Sequence, residues 1–379
     1  MSKPDPLERA LGEHGLPGIS AAVFDGDSVS ERALGDATPD TQYLIGSVTK
    51  TFVAAALVAL EIDLHAPLMR YGTPAQLLSH TSGLQREVPG DAWRTLEFPD
   101  REQIVESLDE AELVLPPGRW HYSNLGYVVL GELIRERAGA PLEDVISERL
   151  LDPLGMTRTS WEPLEPYARG TNRGEPEPPI DKGGARASGG LWSTAGDLAR
   201  WARHLMELDA LHRPFAHAGW DEAWGLGVAC FRVEGRELWG HEGSSVGYQS
   251  ALLYDCSTRA GAAVLTNATQ PAGLRGIAAS LVPQVAQGSK RDETQPPPEV
   301  EGLLGSWWSE GVEHRFRWTG RLETAEAVFA PAGDDRYRTD EGREEGELLR
   351  VVRDASGEPV ELWWAGYPLR REPGYSFGK

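Results

Sequence analysis

Two spacings of apolar residues alternate along the chain, and they predict where helices and strands fall. The run Ser47 to Leu60 has helical length, and beyond its first turn it is apolar around the whole circumference. A helix with no polar face belongs inside a domain. Further helical patterns span 101–112, 124–138, 141–150, 195–208 and about 271–286. Ahead of them, Ile19–Phe24 and Val29–Leu34 flank the turn-forming Asp25-Gly26-Asp27, which predicts a hairpin. From 225 onward the period falls towards two. Gly225–Val233, Leu238–Glu242, Gly247–Tyr254 and Ala260–Asn267 read as four successive antiparallel strands. The fold class is therefore α/β in the α+β sense, an antiparallel sheet flanked by helices with a helical subdomain.

Two stretches break the pattern. Residues 165–185 are rich in Pro, Gly and charge and predict a long irregular loop. Residues 288–298 lack apolar anchors and end in Pro296-Pro297-Pro298, the composition of a semi-rigid linker. Beyond it, 301–379 holds five of the 13 tryptophans (Trp307, Trp308, Trp318, Trp363 and Trp364) among alternating runs such as His314–Trp318. This tail reads as a small antiparallel β-barrel or meander. The expected domains are 1–287 and 301–379, joined by 288–300.

Composition narrows the partners. The 58 acidic and 37 basic residues leave a net charge of −21. That balance opposes binding to nucleic acid or an anionic membrane surface and suits a small-molecule or peptide substrate. No segment reaches the roughly 18 consecutive apolar residues of a membrane span. The polar start Met1–Pro6 leads into no apolar stretch, so no secretory leader and a cytoplasmic address are expected. Cys230 and Cys256 are too few for a disulfide framework and read as two buried thiols. The sequence leaves the oligomeric state open.

Three short motifs carry chemistry. Ser47-x-x-Lys50 opens the apolar helix, where a spacing of three puts hydroxyl and amine on one face. A lysine serves as base to a serine only if its pKa falls well below about 10.4, as burial and a helix N-terminus make it do. The spacing also fits an ordinary N-cap beside a surface lysine, and it recurs at Ser376–Lys379 after Pro373-Gly374, where no helix follows. Tyr122-Ser123-Asn124 precedes the next helix, with a phenol suited to relaying a proton and an amide suited to positioning. The plainer reading makes Tyr122 half-buried core and Asn124 an N-cap. His241-Glu242-Gly243 ends a strand that aims a side chain and a backbone amide at one cleft. His217-Ala218-Gly219 repeats the pattern in a loop. The amides of Ser47 and Ser244 are candidates for an oxyanion hole.

Together, in this order, the three motifs resemble those of the serine β-lactamase and penicillin-binding protein superfamily. They are most similar to class C β-lactamase-like hydrolases, among them D,D-carboxypeptidases, D-aminopeptidases and esterases. Tyr43–Phe52, His80–Leu84, Gly189–Leu198 and Gly240–Gly243 also look like recurring segments of that family. The resemblance covers roughly residues 7–287 and implies a β-lactamase/transpeptidase-like fold. It implies Ser47 as acylated nucleophile, Lys50 as its base, Tyr122 as proton relay, Asn124 as positioning amide, and Gly243 and Ser244 at the oxyanion. His241 stands where many relatives have the Lys of a Lys-Thr-Gly motif, and the 60–80 stretch is short. The tail is similar to a lipocalin-like accessory domain.

The implied activity is acyl-enzyme hydrolysis of an ester or amide, such as a D-amino-acid peptide, amide or short ester, with β-lactams not preferred. An acyltransferase or peptide cyclase is the alternative. A catalytically silent binding or scaffold protein of the same fold is the second. Two other chemistries fit less well. Gly243–Gly247 matches Gly-x-Ser-x-Gly, but a strand follows where that elbow needs a helix. The nine histidines show no metal-ligand spacing, so neither metal nor cofactor is expected, and His80 is assigned a structural hydrogen bond. If a substrate carboxylate needs a cation, Arg186 is the first candidate.

Overall fold

The computed structural model describes residues 5–90, 92–178, 180–269, 272–283, 295–309, 312–342 and 344–372. The chain divides into two compact units, Met1–Gln284 and Val285–Lys379. The first is built on eight antiparallel strands. They are β1 Gly18–Asp25, β2 Ser28–Gly35, β3 Ala216–His217, β4 Glu222–Trp224, β5 Ala229–Val233, β6 Arg236–Ser245, β7 Tyr248–Asp255 and β8 Ala260–Thr266. Their order across the sheet is β2-β1-β8-β7-β6-β5-β4-β3.

Every residue of β8 is buried. The reason lies in what covers the sheet. Ala263 and Leu265 pack with the helices Thr49–Ala59 and Ala195–Leu205 on one face. Ala262 and Val264 pack with the helices Pro6–His14 and Leu274–Leu281 on the other. A strand covered on both faces loses the polar half of its alternation. Of the predicted strand Gly225–Val233 only β5 forms, because Gly227 takes φ 86° and bends the chain inward before Ala229. A Cβ on Gly227 would lie 2.3 Å from Ala54 Cβ, so this bend packs directly on the Ser47 helix.

Helix Thr49–Ala59 is enclosed as its composition predicts, with Thr49 through Leu57 all buried. Phe52 stacks on Trp201 at 3.9 Å between centroids, and Trp201 Nε1 donates to Thr51 Oγ1 at 2.7 Å. The Ser47 segment thus rests on the helix Ala195–Leu205. Between 60 and 80 the chain keeps the five-residue helix Pro74–Leu78, closed by a capping box of Thr73 and Gln76. The predicted irregular loop 165–185 contains the two-residue strands Thr171–Asn172 and Glu175–Pro176, and the 3₁₀ turn Gly183–Ser188 begins inside it.

The second unit has eight antiparallel strands paired in chain order from Gly305–Ser309 to Tyr367–Leu369. Trp308 N–H donates to Arg370 O at 2.7 Å and Arg370 N–H to Trp308 O at 3.0 Å. These bonds join the first strand to the chain just past the last and nearly close the barrel around Trp307, Phe316, Phe329 and Trp364. The candidate linker lies largely outside the described residues, and its last three positions begin the short helix Pro298–Glu301. Met1–Pro4 and Ser376–Lys379 also lie outside them. Cys230 is a buried free thiol and Cys256 a half-buried one. No helix among the described residues is long and apolar enough to cross a membrane.

Candidate active site

Ser47 sits in the 3₁₀ turn Gly46–Val48 that feeds the helix Thr49–Ala59. Its side chain does not cap that helix, which has no side-chain cap at all. Lys50 Nζ donates to Ser47 Oγ at 3.1 Å instead, one turn away. Gly46 allows this turn: its φ is +52°, and a Cβ there would lie 2.9 Å from both Ser244 N and Ser244 O. Gly243 meets the same segment from the other side, since a Cβ on it would lie 2.0 Å from Ile45 O. Ser250 Oγ also donates to Ile45 O, at 2.8 Å. The end of β6 and the Ser47 turn are therefore in backbone contact.

Lys50 is fully buried. Its amine donates to Asn124 Oδ1 at 2.7 Å and to the Ser188 carbonyl. Burial holds its pKa well below the ordinary lysine value, and Lys182 and Arg86 push the same way, while the Glu87 carboxylate opposes them. Asn124 is free for this duty because Ser123 is the N-cap of helix Asn124–Ala138, its Oγ accepting from Gly126 N–H at 3.0 Å. The Asn124 Nδ2 donates to Glu87 Oε1 at 2.7 Å. One amide thus links the buried amine to a carboxylate.

Tyr122 approaches from the opposite wall, with Lys50 Nζ 5.1 Å from its ring centroid. Burial raises its pKa, and a hydrogen bond with Ser47 pulls the other way. His80 stacks against it at 4.1 Å between centroids. His80 Nδ1 accepts from Ser123 N–H at 3.1 Å, and its carbonyl accepts from His121 N–H at 2.7 Å, so His80 fixes the loop that carries the phenol. No cluster of three potential metal-ligating side chains occurs among the described residues.

His241 is 3% exposed, and burial together with repulsion from Lys50 pushes its pKa down to about 3. Its Nδ1 lies 2.5 Å from Glu242 O. A carbonyl only accepts, so the proton of the neutral ring is on Nδ1 and the lone pair is on Nε2. That Nε2 is buried and has no hydrogen-bond partner among the described residues. The structure thus makes Nε2 an acceptor.

Ser47, Tyr122, Asn124, His241, Gly243 and Ser244 line one cleft of about 1000 Å³, with Lys50 behind Ser47. His217 lies on the exposed two-residue strand β3 and is not part of it. Ser245, the serine of the Gly-x-Ser-x-Gly match, ends β6, and β7 rather than a helix follows. Arg186 does not reach the cleft. It donates to Asp181 at 3.0 Å and Glu162 at 2.8 Å and faces a separate cavity beside Arg101 and Glu132. The sequence reading missed Glu87, Trp93 and Lys182, all in the cleft wall. Lysine scarcity is the signal that marks Lys182. Of the 37 basic residues only Lys3, Lys50, Lys182, Lys290 and Lys379 are lysines.

A serine and a lysine at the start of one helix, a phenol and an amide at the start of another, and a strand edge around one cleft define the class. The chain belongs to the beta-lactamase family, whose model matches residues 5–287; a second model, a domain of unknown function (DUF7586), matches 296–371. The chain is 32% identical over 231 residues to the D-alanyl-D-alanine-carboxypeptidase/endopeptidase AmpH of Escherichia coli (strain K12). That match covers 52% of this chain and 60% of the relative's length. The D-amino acid amidase of Ochrobactrum anthropi SV3 superposes with a TM-score of 0.61 at 26% identity, over 73% of this chain and 96% of the amidase. A class C beta-lactamase superposes at 0.66 with 19% identity, over 73% of this chain and 93% of its own, and shares the fold.

Proposed function

We propose that the chain is a serine hydrolase that cleaves an ester or amide through an acyl-enzyme on Ser47. The observation that carries this reading is the Lys50 amine, fully buried, held below its ordinary pKa and 3.1 Å from Ser47 Oγ. A neutral amine there takes the hydroxyl proton as Ser47 attacks the substrate carbonyl. The backbone N–H groups of Ser47 and Ser244 receive the oxyanion. Tyr122 passes the proton to the leaving group, and water then releases the acyl group through the same groups. Asn124 and the Ser188 carbonyl orient Lys50. His241 Nε2 offers an acceptor to a substrate N–H.

D-Amino-acid amides and peptides are the substrate class that the carboxypeptidase and amidase relatives support. The C-terminal barrel is an accessory domain of lipocalin-like form. The test is a fluorophosphonate probe followed by peptide mass spectrometry. One label on Ser47 is expected. A label on Ser244 or Ser245, or none on a folded protein, overturns the reading.

A further inference from the structure

Lys182 has no role in the acyl transfer just described, yet it is one of only two lysines among the described residues, and both are in this site. The other Lys or Arg side chains that line this cleft, Arg86 and Arg275, are both arginines. Lys182 is 4% exposed and lines the same cleft as Ser47. Its Nζ lies 5.0 Å from the Trp93 ring centroid and 3.1 Å from where a Cβ on Gly189 would be. Lys50 holds the neighbouring Ser188 carbonyl, so the two amines flank one peptide segment.

A buried ammonium is costly unless an anion or several acceptors meet it. Among the described residues, no carboxylate forms an ion pair with Lys182 and no acceptor takes a hydrogen bond from it. The Trp93 face supplies only a cation–π contact. Glu87 is near enough to act on its charge, but that carboxylate is engaged by Asn124 Nδ2 and faces Arg86 at 3.6 Å. Among the described residues, this wall therefore gathers Lys50, Lys182 and Arg86 around the one carboxylate of Glu87. It does so in a protein of net charge −21. On the far side of the cleft, Arg275 is already committed to Glu242 and Glu222. Burial pulls the Lys182 pKa down to about 8, and a bound anion would raise it again.

We propose that Lys182 is the anchor for a carboxylate on the substrate, which docks in the cleft against Trp93 while Ser47 attacks the ester or amide. The inference rests on the hydrolase reading and adds to it an acidic substrate class. It also moves the cation that relatives place at the third motif to a different wall.

The experiment compares p-nitrophenyl hydrogen glutarate, which carries a carboxylate, with uncharged p-nitrophenyl valerate, as a ratio of kcat/KM. In the wild type the ratio should favour the glutarate. In Lys182→Met, and in Lys182→Gln as a second neutral variant, it should fall by about 10- to 100-fold, mainly through KM, as loss of a charged hydrogen bond implies. A ratio that stays the same, including an equal loss on both esters, overturns the proposal. A binding arm separates this from failure of the hydrolase reading. By calorimetry, N-acetyl-D-alanine should bind the wild type at least 10-fold more tightly than N-acetyl-D-alaninamide, and Lys182→Met should erase the difference. If the wild type turns over neither ester but this difference is present and is lost in the variant, the hydrolase reading fails and the anion site stands. If acid and amide bind alike, or the difference survives in Lys182→Met, the anion site fails.

Discussion

Removing the charge of Glu87 while keeping its hydrogen bond isolates what that carboxylate does to Lys50. In Glu87→Gln the new side-chain oxygen still accepts from Asn124 Nδ2, so the amide that orients Lys50 stays in place. The two 2.7 Å hydrogen bonds of Asn124 put the Glu87 carboxylate within about 8 Å of Lys50 Nζ, where unit charges interact by about 2 kcal/mol at an effective dielectric near 20. At 1.36 kcal/mol per pH unit that is about 1.5 units, and solvent screening of a side chain 30% exposed reduces it to roughly one. Glu87 raises the Lys50 pKa, so its neutralisation lowers it. Catalysis needs Lys50 neutral: activity is present above its pKa and lost as pH falls through it. The acid limb of kcat/KM should therefore move about one unit to lower pH in Glu87→Gln. The assay is the pH profile of an uncharged ester in constant 0.1 M salt, which leaves the charge of Lys182 out of substrate binding. An acid limb that stays put or moves to higher pH refutes the coupling of Lys50 to Glu87 through Asn124.

Tyr122→Phe should lower kcat by about 10²–10⁴, the range for a general acid–base group, with the thermal melt nearly unchanged because only a hydroxyl is lost. A variant that keeps more than half the wild-type rate removes Tyr122 from the mechanism. Acid should destabilise the fold through its buried histidines. His241 has a folded pKa near 3, below its unfolded value near 6.5, so the unfolded chain takes up a proton that the native state refuses as pH falls between the two. At pH 5 this costs up to about 2 kcal/mol. Urea melts at pH 7 and pH 5 should show a smaller acid loss in His241→Asn than in the wild type. Equal losses would show that His241 is not the group being titrated.

Helices and strands were legible wherever one period ran long enough. The helix Asn124–Ala138 matches its predicted span, and β6, β7 and β8 fall on alternating or continuously apolar runs. The pattern failed where a glycine bent the chain. Gly225–Val233 reads as one strand, but the left-handed Gly227, packed on Ala54, turns the chain so that only β5 forms. It also failed where chemistry came from residues without periodicity. Glu87 follows the His80–Leu84 segment in a loop, and Lys182 sits in the Pro- and Gly-rich stretch that predicted only irregularity. Such side chains are placed by tertiary contacts, here Asn124 on Glu87 and Trp93 beside Lys182.

The electrostatic consequence of His241 was half legible. Its residue type alone implies that the third motif lacks a permanent cation, and burial strengthens that implication by keeping the ring neutral. The tautomer was not legible, because it depends on the Glu242 carbonyl accepting a hydrogen bond from Nδ1–H. Arg186 was the natural substitute cation by charge and position in the chain, but three acidic side chains on its own surface surround it. Among the described residues, Lys182 has no such ion pair. A preference against β-lactams then rests on where a cation stands in the cleft. A cation does face the cleft, but it stands on the Trp93 wall rather than at the end of β6. Discrimination between a compact ring carboxylate and a carboxylate on a longer, flexible chain then turns on reach from Ser47 to Lys182.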